Sequence, residues 1–209
     1  MISDRKKALI NWAYSESGHG YDLPDFRLQK FLFFYECLSK VEGDDFDFNK
    51  LKGYKRGPVF GDVFGAMKHN RSEFYNSIKT FQYHVNAERA VQSMFLVQAL
   101  GVELSDFTHK LNMWKVKENE IMRGDLHVPL VGKDFSEHDA KVFDELKSVY
   151  STSYINSVTI KEVNGKTFLF PKEHEFKSEY NNALYEVSVD SDFLSPVYVD
   201  VHEGELYFE

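Results

Sequence analysis

SVTIKEVNGKTFLF, residues 157–170, is the stretch whose side-chain pattern decides the fold. Apolar and polar residues alternate on both sides of its centre, as is typical of strands that bury one face. Asn164-Gly165 lies between the two halves, and this dipeptide readily adopts the positive φ angles of a tight hairpin turn. The stretch therefore predicts an antiparallel β-hairpin, and the hydrophobic period changes from 3.6 to 2 near residue 153.

The same alternation continues toward the C-terminus. LYEVSVD (184–190) and PVYVDVH (196–202) have a period of two, and Glu203-Gly204 is suited to turn the chain back into ELYFE (205–209). We therefore expect further strands at these three positions, joined with the hairpin into one small antiparallel sheet.

Helical periodicity dominates the chain before residue 153. Its strongest example is RLQKFLFFYECLSK (27–40), which follows Pro24-Asp25 and repeats apolar side chains at i, i+3, i+4 and i+7. Phe33 and Phe34 add apolar surface beyond that stripe, so we expect this helix at the centre of the core. Further helices are expected at 4–17, 61–69, 87–100, 103–122 and 137–150.

Several residues indicate where these helices begin and end. Gly18-His19-Gly20 is expected to end the first helix, and Gly101 is expected to end the helix at 87–100. Gly57-Pro58 predicts a bend, and residues 124–135 are interpreted as a connector. Ser136 is expected to cap the last helix. The buried stripe of that helix is predicted to consist of Val142, Leu146 and Val149.

These patterns predict the α+β fold class. A mainly helical N-terminal domain is expected at residues 1–152, and a small C-terminal antiparallel β-sheet is expected at 153–209, packed on the helices as an extension. The chain has 209 residues, of which 43% are hydrophobic and 19 are Phe. It can therefore bury enough apolar surface to offset the entropy lost on folding.

Cysteine content and charge bear on the compartment and the partners. The single cysteine, Cys37, excludes an internal disulfide framework and fits a reducing compartment. With no apolar segment long enough for a membrane span or a secretion signal, a cytoplasmic protein is expected. Residues 1–150 carry 21 basic and 22 acidic side chains, whereas residues 151–209 carry 4 and 11. The acidic C-terminal part would repel nucleic acid and attract a basic protein, or it only keeps the chain soluble.

Motifs for catalysis, metals and cofactors do not stand out. Gly165-Lys166-Thr167 resembles the end of a phosphate-binding loop, but Ile160 occupies the position where that motif needs its first glycine. The eight histidines form no His-x-x-x-His pair or Cys/His cluster of the kind that zinc requires. We therefore expect no catalytic residue, no metal and no cofactor, although a site assembled from distant residues would be invisible in one sequence.

Two clusters interrupt the amphipathic pattern. The first, Tyr54-Lys55-Arg56-Gly57-Pro58-Val59, holds two cations and an aromatic at a rigid bend, and the second is Thr108-His109 with Trp114 shortly after it. Both have a structural interpretation, since a Gly-Pro bend can end an element and these side chains can cap a helix or fill core. The functional interpretation is an exposed Arg-Trp-His patch that anchors a partner protein. The candidate partner-binding residues are Lys55, Arg56, Thr108, His109 and Trp114.

Three ordered blocks resemble the Panacea domain, the SocA-like antitoxin family. They are Leu28-Gln29-Lys30-Phe31-Leu32-Phe33-Phe34, then Tyr54-Lys55-Arg56-Gly57-Pro58-Val59 with Val63-Phe64, then Leu104-Ser105-Asp106-Phe107-Thr108-His109 with Trp114. The matching positions include Leu28, Gln29 and Lys30 in the first block and Gly57, Pro58 and Val59 in the second. The resemblance runs from about Leu23 to Tyr150, and the predicted sheet has no counterpart in it.

The resemblance implies a largely helical antitoxin of bacterial or phage origin. Such a protein neutralises a toxin encoded beside it by direct protein–protein binding, and one kind is also an adaptor that delivers its toxin to a AAA+ protease. An alternative function is that of a nucleic-acid-binding transcriptional regulator. Its support is confined to the Lys55-Arg56 pair and to Lys110, Lys115 and Lys117, and the net charge of −8 opposes it.

Overall fold

A computed structural model describes residues 1–15, 23–79 and 84–209. Helices and strands alternate in groups along the chain, and the fold belongs to the α+β class, as predicted. In chain order the elements are α1 (Asp4–Ser15), α2 (Asp25–Val41), β1 (Leu51–Tyr54), β2 (Gly57–Phe60), α3 (Gly61–His69), α4 (Arg71–Lys79), α5 (Ala87–Leu100), α6 (Leu104–Lys110), α7 (Asn112–Lys115), α8 (Glu118–Arg123), β3 (Val128–Pro129), α9 (Glu137–Val149), α10 (Thr152–Ser157), β4 (Val158–Val163), β5 (Lys166–Pro171), α11 (Tyr180–Val189), β6 (Val197–His202) and β7 (Glu205–Phe208). The predicted end of the first helix at Gly18-His19-Gly20 lies outside the described residues.

Helix α2 is the centre of the core, as the sequence predicts. Every residue from Leu28 to Ser39 is buried, because α1, α5, α9 and β2 surround the helix. Phe33 and Phe34 both meet the ring of Phe143 on α9 in edge-to-face contacts. The buried positions include the polar residues Gln29, Lys30, Glu36 and Ser39, so the helix is enclosed on every side and not only along its apolar stripe.

A small antiparallel sheet lies within the helical part, where the sequence analysis expected only a bend and a connector. Its strand order is β2-β1-β3, with Tyr54 paired to Gly57 across a two-residue turn and Gly53 paired to Val128. Gly57 has a φ of +93°. Strands of four residues or fewer contain too few side chains to produce a readable alternation, so the pattern missed them.

The single helix predicted at 103–122 is wrong, because the chain forms α6, α7 and α8 there. Leu111 is extended between α6 and α7, with φ −70° and ψ 136°. The carboxylate of Asp139 on α9 accepts hydrogen bonds from the backbone N–H groups of Asn112 (2.6 Å) and Met113 (3.1 Å). Since this carboxylate caps a new helix start, the break is caused by a residue far away in sequence.

The cap of α9 is confirmed, but its predicted buried stripe is partly wrong. Ser136 Oγ accepts from the Asp139 backbone N–H at 3.3 Å, and the Asp139 carboxylate accepts from the Ser136 N–H at 3.0 Å. Phe143 is fully buried, whereas Val149 is 55% exposed. Val142 and Leu146 are half-buried, because the helix turns Phe143 toward α2 instead.

The C-terminal sheet has the order β4-β5-β6-β7. Its two hairpins turn at Asn164-Gly165 and Glu203-Gly204, as predicted. All four of these residues have positive φ, which the sequence predicted for Asn164-Gly165 alone. The β5–β6 pair is parallel, however, so the sheet is mixed and not antiparallel throughout.

The strand predicted at 184–190 is also wrong, because these residues belong to α11. Tyr180, Leu184 and Ser188 are buried at helical spacing, a pattern that the local alternation of LYEVSVD hid. Because β5 and β6 are parallel neighbours, a long crossover connection must join them, and such connections usually contain a helix. The first strand begins at Val158 and not near 153, because Ser151 caps the short helix α10.

The C-terminal sheet contacts the helices directly. Leu169 joins the main core, and Ile160 and Tyr198 pack against that core. The opposite face buries a second cluster that includes Phe168, Phe170, Tyr180, Leu184 and Val197. Within the described ranges, no helix is both long and apolar enough to cross a membrane.

Candidate functional site

The candidate site is built around the β1–β2 turn, because three segments that are distant in sequence meet there. They are the start of α2, the turn itself (Tyr54 to Gly57), and the α6–α7 region. Lys55 and Arg56 occupy the turn and are exposed. The guanidinium of Arg56 lies over the ring of Phe26, 4.3 Å from its centroid, so its position is partly set by a cation–π contact.

Gly57 allows the turn to approach the helices closely. A Cβ atom at this position would lie within 3.0 Å of both Lys30 Nζ and Thr108 Oγ1, closer than Cβ atoms come to other heavy atoms in proteins. The positive φ also disfavours any residue with a side chain. Both the space and the backbone angle therefore require glycine here.

Lys30 is a fully buried lysine beneath the turn. Its Nζ donates to Thr108 Oγ1 at 3.2 Å, and the Thr108 hydroxyl donates to the Ser105 carbonyl at 2.8 Å. Burial lowers the pKa of Lys30 well below its usual range, and the nearby charge of Arg56 lowers it further. Within the described part of the chain, no ion pair joins Lys30 to a carboxylate.

Trp114 supports the turn from the α7 side. Its indole stacks on the ring of His109 with a centroid distance of 4.0 Å, and its Nε1 donates to the Tyr54 carbonyl at 3.0 Å. Burial lowers the pKa of His109, and the charge of Lys30 adds to this shift. The indole therefore joins α7 to β1 by both stacking and a hydrogen bond.

The predicted exposed Arg-Trp-His patch is partly wrong. Thr108 is 0% exposed and Trp114 is 2% exposed, because the turn packs across them. Lys55 and Arg56 are exposed as predicted, and His109 is half-buried. The five candidate residues do come together, but Thr108 and Trp114 lie behind the surface that Lys55 and Arg56 form.

The remaining motif residues also converge on this region. Leu28, Gln29 and Pro58 are buried, and Val59 is half-buried. Gln29 Oε1 accepts from the Phe60 backbone N–H at 2.8 Å and so ties α2 to β2. Its Nε2 is buried and has no hydrogen-bond partner among the residues that the structure describes.

An open pocket of about 460 Å³ lies beside the turn, and the sequence analysis did not predict it. Its walls include Phe26, Gln29, Tyr54, Arg56, Val59 and Phe64. Phe64 is 43% exposed although it lies on a short helix with an apolar face. Phe64, an aromatic residue next to the second motif block, was the only sign of the pocket in the sequence. One sequence does not show whether such a residue is buried or exposed, so the pocket was not predicted.

Other chemistry-bearing groups are dispersed or enclosed. No three His, Cys, Asp or Glu side chains among the described residues are grouped as a metal would require. Cys37 is fully buried, and burial raises the pKa of its thiol well above the usual range. A thiol in that environment is mainly protonated and packs as an apolar side chain.

No family model matches the chain, and neither a curated protein nor a solved structure matches it. Support for a function therefore comes from the residues around the β1–β2 turn and from the motif resemblance. The turn combines a buried framework, two exposed cations and an apolar pocket, which together form a surface suited to binding.

Proposed function

We propose that this protein is an antitoxin that neutralises a cognate toxin by direct protein–protein binding at the β1–β2 turn. The observation that carries the proposal is the assembly of the three Panacea-like blocks into one unit. Lys30, Gly57 and Thr108 come from different blocks and are in mutual contact or close approach. These buried contacts between the blocks hold one turn in place, and that turn presents the exposed Lys55 and Arg56 to a partner.

The chemistry of the turn supports a protein partner. Arginine and aromatic side chains supply much of the energy of protein interfaces, especially beside pockets that exclude water. Arg56 is exposed at the edge of the pocket, with Phe26 and Phe64 in the walls. The buried contacts of Trp114 and Lys30 hold this surface in place before a partner arrives, which lowers the entropy lost on binding.

Two further parts of the proposal rest on the sequence, the location on its cysteine content and hydrophobic pattern and the delivery to a protease on the resemblance. The protein acts in the cytoplasm, and it delivers the bound toxin to a AAA+ protease. Pulse-chase measurement of toxin lifetime in cells with and without this protein tests the second part. If the toxin has the same lifetime in cells with and without this protein, delivery to a protease is excluded, and the protein neutralises the toxin by binding alone.

The function is tested with the product of the adjacent reading frame. We expect that frame to arrest growth when expressed alone, and we expect growth to recover when this protein is co-expressed. The two proteins should also co-purify. A neighbouring product that is harmless, or one that kills equally in both strains, would contradict the antitoxin assignment.

Arg56→Ala is expected to weaken toxin binding by about thirtyfold, or roughly 2 kcal/mol. Thermal stability should change little, because the side chain is exposed and its contact with Phe26 is worth only about 0.5–1 kcal/mol. Isothermal titration and thermal denaturation of the same variant measure both effects. Arg123→Ala removes another exposed arginine and is the matched control. Equal affinities for the two variants would exclude Arg56 as an anchor.

Specific DNA binding is expected to be weak or absent. A chain with a net charge of −8 gains little from counterion release, and the exposed Lys55-Arg56 pair is a local feature. Gel-shift titration with the upstream region of the gene tests this at several salt concentrations. A sequence-specific shift at nanomolar protein that survives added salt would favour the regulator instead.

A further inference from the structure

The pocket beside the β1–β2 turn has walls of two kinds. Phe26, Val59 and Phe64 provide apolar surface, and Gln29 contributes a polar side chain. Its volume of about 460 Å³ falls in the range of about 300–1,000 Å³ that is common for ligand pockets. The pocket is therefore large enough for an apolar side chain together with the backbone that carries it.

Gln29 provides a hydrogen-bond donor that nothing in the described chain uses. The side chain is 3% exposed, and its Oε1 is held by the Phe60 backbone N–H at 2.8 Å. This bond determines which end of the amide is the donor, because a flipped amide would place two donors against each other. Nε2 is left without a partner, and buried donors in folded proteins are normally satisfied. An acceptor on a bound molecule would complete the site.

The side chains that line the pocket give it an excess of positive charge. Lys55 and Arg56 line the pocket and are exposed, and they supply its positive charge. Asp25 also lines the pocket, but its carboxylate pairs with Arg71 at 2.5 Å. A positive region on a chain with a net charge of −8 is complementary to a partner that presents carboxylates locally.

We propose that the pocket binds an acidic–apolar segment of the partner protein. A large apolar side chain lies between Phe26 and Phe64, a backbone carbonyl of the segment accepts from Gln29 Nε2, and flanking Asp or Glu carboxylates pair with Lys55 and Arg56. This inference deepens the proposed function and rests on it, since it names the chemistry by which the toxin is recognised.

Short peptides test the inference without the toxin. The probe is the acetylated and amidated peptide Asp-Glu-Phe-Asp-Glu, titrated into the ¹⁵N-labelled full chain. We expect the side-chain amide signals of Gln29 and the backbone signals of Arg56 and Phe64 to shift. Two control peptides, Asn-Gln-Phe-Asn-Gln and Asp-Glu-Ser-Asp-Glu, should each bind at least tenfold more weakly. Equal binding of either control, or shifts confined to other surfaces, would overturn the proposal.

Two variants distinguish the contribution of the Gln29 donor to peptide binding from the contribution of the apolar wall. Gln29→Glu keeps the acceptor for the Phe60 N–H but removes the free donor, and Phe64→Ala removes a half-exposed ring. Each should weaken binding of the Asp-Glu-Phe-Asp-Glu peptide at least fivefold. The melting temperature of Phe64→Ala should stay close to that of the parent, whereas that of Gln29→Glu should fall, because this change buries a carboxyl group. Should Gln29→Glu fail to fold, the Phe64→Ala measurement alone still decides, and unchanged peptide affinity in that variant would contradict the pocket.

The toxin measurement distinguishes failure of the pocket from failure of the function. If Phe64→Ala and Gln29→Glu bind the toxin as tightly as the parent chain while Arg56→Ala does not, the pocket proposal is wrong and the antitoxin proposal stands. If the acidic peptide binds as expected but the adjacent gene product is neither toxic nor bound, the antitoxin proposal is wrong and the pocket has another protein partner.

Discussion

Replacing Trp114 with Ala is expected to lower the free energy of unfolding by about 3–5 kcal/mol. The indole is 2% exposed, stacks on His109 at 4.0 Å and donates to the Tyr54 carbonyl at 3.0 Å. Its removal leaves a cavity between α7 and β1 and an unsatisfied carbonyl on the strand that leads into the turn. Chemical denaturation with linear extrapolation measures the loss.

The control for this variant is Trp114→Phe, which keeps a ring in the stack but loses the Nε1 donor. We expect it to cost about 1–3 kcal/mol, the range for a buried group left without its hydrogen bond. The toxin affinity of Trp114→Ala is corrected for the fraction of protein that is folded. We expect this variant to lose less affinity, relative to the parent chain, than Arg56→Ala loses. A stable Trp114→Ala protein that has lost all binding would show that the indole itself contacts the toxin.

Gly57→Ala is expected to destabilise the protein by about 3 kcal/mol. Part of this is the backbone cost of a side chain at φ +93°, on the order of 1 kcal/mol. The rest comes from overlap of the new Cβ with Lys30 Nζ and Thr108 Oγ1, at the usual cost of about 1–3 kcal/mol for overpacking. Lys30 cannot move aside cheaply, because it is fully buried and hydrogen-bonded to Thr108.

Gly124→Ala is the matched control for Gly57→Ala. Gly124 has a φ of +95°, nearly the same as Gly57, but its Cβ would have no atom of the described residues within 4 Å. It should therefore show the backbone cost alone. The difference between the two variants in denaturant unfolding isolates the contact with Lys30 and Thr108, and equal losses would mean that this close approach is unimportant.

Much of the fold is predictable from local patterns. Asn164-Gly165 forms a turn because both residues tolerate positive φ, and α2 is central because its apolar side chains extend beyond a single stripe. Elements that depend on contacts with residues far away in the sequence are not predictable from local patterns. The break at Leu111 depends on the Asp139 carboxylate from another helix. The α11 segment satisfies both strand and helix periodicity, and it lies in the crossover that joins the parallel strands β5 and β6, where a helix is usual.

The candidate site was only partly predictable for a related reason. The sequence predicted that Arg56, His109 and Trp114 lie near one another. His109 and Trp114 stack, and Arg56 lies on the turn that Trp114 contacts through the Tyr54 carbonyl. The three side chains differ in exposure, since Trp114 is buried, His109 is half-buried and Arg56 is exposed. These differences depend on how the turn packs over α7, which the sequence does not show. The pocket and the unpaired Gln29 amide are created by three separate segments, so no single stretch of sequence contains their signal.

Hydrogen–deuterium exchange of the toxin complex tests the central claim most directly, since it maps the binding surface without changing the protein. We expect slower exchange at residues 51–60 and at residues 25–29 at the start of α2 when the toxin is bound. Amides of the β6–β7 hairpin (197–208) should exchange as they do in the free protein. Protection confined to that hairpin, with residues 51–60 unchanged, would contradict the assignment of the β1–β2 turn as the toxin-binding site.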